Sequence, residues 1–149
     1  MTAPLPLPTG VWTCDTAADV TELGEKLGRF LTGGAVVLLY GTLGAGKTTF
    51  AQGVAYALGL APEDVTSPSF PLVNYYASKP FSLYHLDLYR LAAGPAAAYA
   101  VGLDDILADM NAVTLVEWPE RIDGYDWPAP CYRVTINGDG DTPREIIIA

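Results

Sequence analysis

The spacing of apolar positions along the chain changes several times, and each change marks an element. Val20, Leu23, Leu27, Phe30 and Leu31 recur at helical spacing behind Thr16-Ala-Ala-Asp19, a cap with an acid in the first turn; Gly33-Gly34 stops that helix. Residues 35–40 (Ala-Val-Val-Leu-Leu-Tyr) are apolar on both faces, as the interior strand of a parallel sheet must be. A second helix is predicted from Lys47 to Leu58, closed by Gly59 with Pro62 beyond. Residues 72–76 and 81–89 read as two strands joined by Ala-Ser-Lys-Pro, an antiparallel hairpin. A helical stretch opens at Gly94-Pro95 and runs to about Met110, with an interruption near Gly102. Residues 113–117 form another buried strand. Residues 131–137 and 144–148 make a terminal hairpin around Gly138-Asp-Gly-Asp141. Residues 11–14 add a short strand after a Pro-rich tail, expected to be loose over residues 1–10.

The junction between the strand at 35–40 and the helix at 47–58 carries the sharpest chemistry. Gly41-Thr42-Leu43-Gly44-Ala45-Gly46-Lys47-Thr48 is a complete G-x-x-x-x-G-K-[ST] phosphate loop. Its glycines let backbone N–H groups close around a polyphosphate. Lys47 can reach the β- and γ-phosphates, and the Thr48 hydroxyl can ligate Mg²⁺. The following helix N-terminus adds its dipole and free donors. Strand, loop, helix and hairpins together predict one α/β domain over residues 1–149. The expected form is a P-loop NTPase-like three-layer sandwich whose mixed sheet has a parallel core and antiparallel hairpins.

Such a site needs an acid for the Mg²⁺ shell, normally at the end of an apolar strand. Glu117 ends the run Val113-Thr-Leu-Val116, and Asp87 ends Leu83-Tyr-His-Leu. Either can supply it, and either can be a solvated strand end; the more uniformly apolar run favours Glu117. At strand period two His85 and Asp87 share a face, while Leu86 and Leu88 take the other. His85 reads as a strand residue bonded to its neighbours rather than as a general base, because NTP hydrolysis rests on positioning and electrostatics. Thr49 offers a second hydroxyl near metal or phosphates, or is an ordinary first-turn residue. Arg90 fits an internal arginine finger or a structural ion pair. Trp118 fits a core or interface aromatic beside any site at Glu117. Thr66-Ser-Pro-Ser-Phe70 is either a γ-phosphate sensor or a connector stiffened by Pro68.

Composition narrows the function classes. The chain carries 8 basic and 17 acidic residues, a net charge of −9, which argues against autonomous nucleic-acid binding. Residues 91–110 contain neither Arg nor Lys, unlike the arginine-rich lid with which small kinases clamp a migrating phosphate. Cys14 and Cys131 lack metal or redox spacing and read as small apolar strand residues in a reducing compartment. With no signal peptide and no membrane-length apolar run, the expected location is the cytoplasm.

Beyond the loop, Ser67-Pro-Ser-Phe70, His85-Leu-Asp-Leu-Tyr-Arg90 and Val116-Glu-Trp-Pro-Glu120 follow in that order. Together the segments resemble the TsaE (YjeE) family, small bacterial ATPases of tRNA threonylcarbamoyladenosine synthesis, from about Leu23 to Ile148. The resemblance implies ATP and Mg²⁺ as cofactors, with Gly41 to Thr48 and Arg144 at the nucleotide and Thr48, Glu117 and Asp87 at the metal. It also implies functional roles for Thr49, Asp87, Glu117 and Trp118. Its implied partners are the TsaB and TsaD proteins, tRNA being met only through them. Thr42 stands where the family usually has Asp, Ser69 where it often has Thr, and residues 92–100 are Ala-rich where it is acidic.

Overall fold

The computed structural model describes residues 7–42, 44–66, 68, 72–91, 101–122 and 124–149. Among them a seven-stranded sheet is formed by β1 (Gly10–Cys14), β2 (Val36–Tyr40), β3 (Val73–Tyr76), β4 (Ser82–Asp87), β5 (Ala112–Glu117), β6 (Cys131–Asn137) and β7 (Arg144–Ile148). The spatial order is β1-β7-β6-β2-β5-β4-β3. β2 pairs in parallel with β5 and β6, and β5 in parallel with β4. The β1·β7, β6·β7 and β3·β4 pairs are antiparallel. The α/β sandwich with a parallel core and antiparallel flanks is therefore the observed fold.

Helices α1 (Ala17–Gly28) and α2 (Lys47–Ala57) cover one face. α1 starts on a full capping box: the Asp19 N–H donates to Thr16 Oγ1, and the Thr16 N–H donates to the Asp19 carboxylate. Leu23 and Leu27 then point at Val37, Leu39 and the buried Phe50 of α2. Fully burying side chains of this kind contributes about 1.5–3 kcal/mol each. The two helices touch through glycine. A Cβ on Gly24 would lie 2.3 Å from the Phe50 carbonyl oxygen, and one on Gly53 would lie 2.0 Å from that of Thr21.

The opposite face is built from Val36, Leu38, Leu86, Leu88 and Val116, packed under Leu103, Ile106 and Ile122. Leu103 and Ile106 belong to α3 (Leu103–Leu107), which ends three residues before the expected Met110. Its start matches the expected interruption: Gly102 sits at φ 66°, a left-handed conformation that ends one helical run before another begins. Residues 92–100, where that helical stretch was expected to open, lie outside the described residues.

The strand predictions hold with small shifts at the ends: β4 stops at Asp87 rather than Tyr89, while β1 and β5 begin one residue earlier than expected. Of the loose tail expected over residues 1–10, residues 1–6 lie outside the described residues and residues 7–10 are held in place, Gly10 already in β1. Leu7 packs against the α1/α2 core, Pro8 is buried, and the Trp12 indole donates to the Pro8 carbonyl at 3.1 Å. Burying the large indole requires a partner for its N–H, and the Pro8 carbonyl is that partner. Cys14 and Cys131 are free thiols in β1 and β6, and burial pushes the pKa of both up. No helix among the described residues is long and apolar enough to cross a membrane.

Candidate nucleotide and metal site

The loop leaves β2 at its C-terminal end and enters α2 through Gly46, whose φ of 109° is closed to most side chains. Gly46 makes no side-chain cap bond, so the first N–H donors of α2 are left for a ligand. Beside them open the C-terminal ends of β4 and β5. The Asp87↔Glu117 register sets the two acids next to each other across those strands. Both lie on the α2 face, as do Leu83, Val113 and Leu115.

A cleft of about 480 Å³ results. Gly44, Gly46, Lys47, Thr48 and Thr49 form one wall; Asp87, Tyr89, Arg90, Glu117 and Trp118 form the other. The structure thus gathers most of the residues singled out from the sequence. Ala45 and Arg144 line a second cleft of about 370 Å³, which shares Gly44, Gly46 and Thr49 with the first. Leu43, Ser67, Ser69 and Phe70 lie outside the described residues.

The polar groups are buried: Lys47 is 5% exposed, His85 0%, Asp87 8% and Glu117 2%. Lys47 Nζ donates to the carbonyls of Gly41 at 2.5 Å and Thr42 at 3.3 Å. It also sits 3.8 Å from the centre of the Trp118 ring. Burial lowers the Lys47 pKa, while the carboxylates of Glu117, Glu120 and Asp87 pull it back up.

His85 Nε2 lies 2.6 Å from Glu117 Oε2. The histidine is therefore bonded to a neighbouring strand, as its position suggested. Its Nδ1 has no partner among the described residues. The Nε2 contact holds the buried carboxylate in one orientation. Asp87 accepts from the Tyr89 N–H at 3.0 Å, and its own N–H donates to the Leu72 carbonyl at 2.9 Å.

Leu72 (φ 80°) and Trp118 (φ 61°) adopt left-handed backbone despite being bulky residues. Such conformations cost about 1–3 kcal/mol each, and here both adjoin the site. Trp118 also packs against Tyr89 at 4.8 Å, and the Arg121 guanidinium lies 5.8 Å from its ring.

Several residues went unnoticed in the sequence. Tyr89 lay inside the segment from His85 to Arg90 without a role of its own, and Arg121 had no signal, because aromatic and cationic stacking depends on tertiary placement. Asp15, Thr16 and residues 140–142 of the β6–β7 turn line the second cleft beside the loop. Their only trace was turn chemistry and a helix cap.

The residue set fits a magnesium–polyphosphate group: an uncapped helix N-terminus, one ammonium, hydroxyls and two carboxylates share a cleft.

The family model "Threonylcarbamoyl adenosine biosynthesis protein TsaE" matches residues 14–146. The tRNA threonylcarbamoyladenosine biosynthesis protein TsaE of Treponema pallidum is 38% identical over 138 residues, spanning 90% of this chain and 96% of that protein. The protein of that name from a Nostoc species is 42% identical, over 68% of this chain and 62% of its own length. The crystal structure of Bacillus subtilis YdiB superposes with a TM-score of 0.72 at 31% identity, covering 93% of this chain and 84% of that one. With a matching family model over nearly the whole length, and a relative matched nearly end to end, the chain belongs to the TsaE family of threonylcarbamoyl adenosine biosynthesis proteins.

Proposed function

We propose that the chain is a Mg²⁺-dependent ATPase that drives or resets a TsaB–TsaD complex as it forms the threonylcarbamoyl group on the tRNA adenosine beside the anticodon. The supporting observation is the meeting of Lys47, Thr48, Asp87 and Glu117 in one cleft, in a chain of this family. The α2 N-terminus and loop amides cradle the phosphates, and Lys47 exchanges its carbonyl partners for phosphate oxygens. Thr48, Glu117 and Asp87 hold the metal. Mg²⁺, when bound, neutralises charge on the terminal phosphates. The nucleoside extends into the second cleft, which shares Gly44 and Gly46 with the first. His85 keeps Glu117 aimed. Thr49 adds a hydroxyl between the clefts, and Trp118 covers Lys47.

Isolated turnover is slow on this reading, because partner contact completes the site. The acidic chain leaves tRNA to its partners and works in the cytoplasm. Adding TsaB and TsaD raises phosphate release, and Lys47→Ala or Glu117→Ala abolishes the rise. Stimulated hydrolysis that persists in Glu117→Ala removes that residue from the mechanism.

One observation favours a second reading, a nucleotide-dependent assembly switch with incidental hydrolysis. Trp118 touches Lys47 and also reaches Arg121 and the exposed Tyr89. A displaced Lys47 would therefore be felt at the surface. A non-hydrolysable ATP analogue separates the readings: repeated rounds of tRNA modification in its presence leave only the switch.

A further inference from the structure

Arg144, expected at the nucleotide, directs the hydrogen bonds it makes among the described residues to backbone carbonyls. Nε donates to the Ala45 carbonyl at 2.7 Å, and Nη2 to the Gly44 carbonyl at 3.2 Å. The same guanidinium reaches back to its own turn, to the Gly140 carbonyl at 3.1 Å and the Thr142 carbonyl at 2.5 Å. It therefore ties the β6–β7 turn to a phosphate loop about a hundred residues earlier in the chain.

The direction of those bonds matters. In a trans peptide the C=O and the following N–H point opposite ways. Pinning the Gly44 carbonyl aims the Ala45 N–H, which donates to the Thr42 carbonyl at 3.1 Å and closes the loop. Pinning the Ala45 carbonyl aims the Gly46 N–H away from the guanidinium. The Gly46 carbonyl is already taken by the Phe50 N–H at 3.0 Å. Two cations thus hold loop carbonyls: Lys47 those of Gly41 and Thr42, Arg144 those of Gly44 and Ala45. Carbonyls facing an anion would repel it; with the Gly44 and Ala45 carbonyls tied to the guanidinium, the Gly46 N–H is left to face it. Gly138 is fitted to this arrangement. At φ 126° a Cβ there would lie 2.9 Å from the Pro143 carbonyl oxygen and 3.0 Å from Arg144 Cδ.

We propose that Arg144 is a positioning residue: it preorganises the phosphate loop through backbone carbonyls and does not serve as a charge for the ligand. The proposal rests on the loop holding a polyphosphate, as put forward above. Its mark is dependence on the guanidinium's several directed donors rather than on its charge.

The test compares Arg144→Lys, Arg144→Gln and Gly138→Ala with the parent chain. It uses amide hydrogen exchange in the ligand-free protein and titration with Mg·ADP at several salt concentrations. Both Arg144 variants should weaken Mg·ADP binding about tenfold. The salt slope should stay that of the parent. The Ala45 amide should exchange about tenfold faster while β2 amides keep their protection. Gly138→Ala should move both readouts in the same direction by less. Parental affinity in Arg144→Lys with loss in Arg144→Gln alone means a charge contact with the ligand and overturns the proposal. Unchanged Ala45 exchange in all three variants overturns it too. A parent chain that takes up no Mg·ADP instead sinks the polyphosphate reading, and the exchange arm still judges the brace.

Discussion

Along β4 and β5 the two faces of the sheet diverge. On the side under α1 and α2, Leu83 gives way to His85 and Asp87, and Val113 and Leu115 give way to Glu117. On the other side Leu86, Leu88 and Val116 stay apolar to the strand ends. Both faces are buried there, so burial alone does not separate them. What separates them is partnership. A buried carboxylate is tolerated only where hydrogen bonds and opposite charge compensate its lost hydration. The α2 face offers His85, the Tyr89 N–H and the nearby Lys47 ammonium. The opposite face offers methyl groups. Polarity switched on late along one face of neighbouring strands is how this sheet makes a site without opening its core.

The contrast can be broken by experiment. Glu117→Gln should lower ATP turnover by about 10²–10³-fold, the scale of losing one transition-state charge contact. Its melting midpoint should hold or rise, since a buried charge is removed; steady-state kinetics and calorimetry on one preparation check both. A midpoint that falls with activity would mean that the acid supports the fold.

The mirror experiment is Leu38→Ala on the apolar face, where the side chain is fully buried. Urea titration should show a loss of about 2–5 kcal/mol. ATP affinity below the transition should be that of the parent.

Next comes His85→Asn, which removes one partner of Glu117 and should cost about 1–3 kcal/mol. In a Glu117→Gln background the same change should cost less, and a double-mutant cycle reads the difference. Strict additivity would uncouple the pair.

The smallest effect lies on the apolar side. Tyr125 donates to Asp104, and burial together with that bond raises its pKa from 10.0 to about 12. The folded state therefore keeps a proton that the unfolded chain loses near pH 10. Stability from this contact is complete below that pH and is lost as pH rises toward 12. Tyr125→Phe should flatten the stability profile in that window and leave the neutral-pH cleft unaffected.

Much of this was written locally. Residues 35–48 declare a buried strand, a turn rich in glycine and a helix start, and the structure builds them so. Thr16 and Asp19 announce their cap three residues apart. His85 and Asp87 share a face because strand period leaves no choice. Other features depend on pairing between distant segments. Nothing near Cys131 says that β6 inserts between β2 and β7, parallel to one and antiparallel to the other. The Arg144 guanidinium finds its carbonyls only once that insertion has placed β7. The choice between Asp87 and Glu117 was open because both end strands; the register that sets them side by side is tertiary. Trp118 and Tyr89 stack by virtue of backbone turns that no single residue encodes.

The bare contacts at Gly24 and Gly53 have a consequence for motion. At these two points the helices meet backbone to backbone, with no side chain between them to act as a bearing. Sliding α2 by even a fraction of a turn would drive carbonyls into α carbons at both points. The helix behind the phosphate loop is therefore an anvil, fixed to its neighbour and through it to the sheet. Whatever a ligand moves has to give on the other side of the cleft, in the segments after β4 and β5 that carry Tyr89 and Trp118.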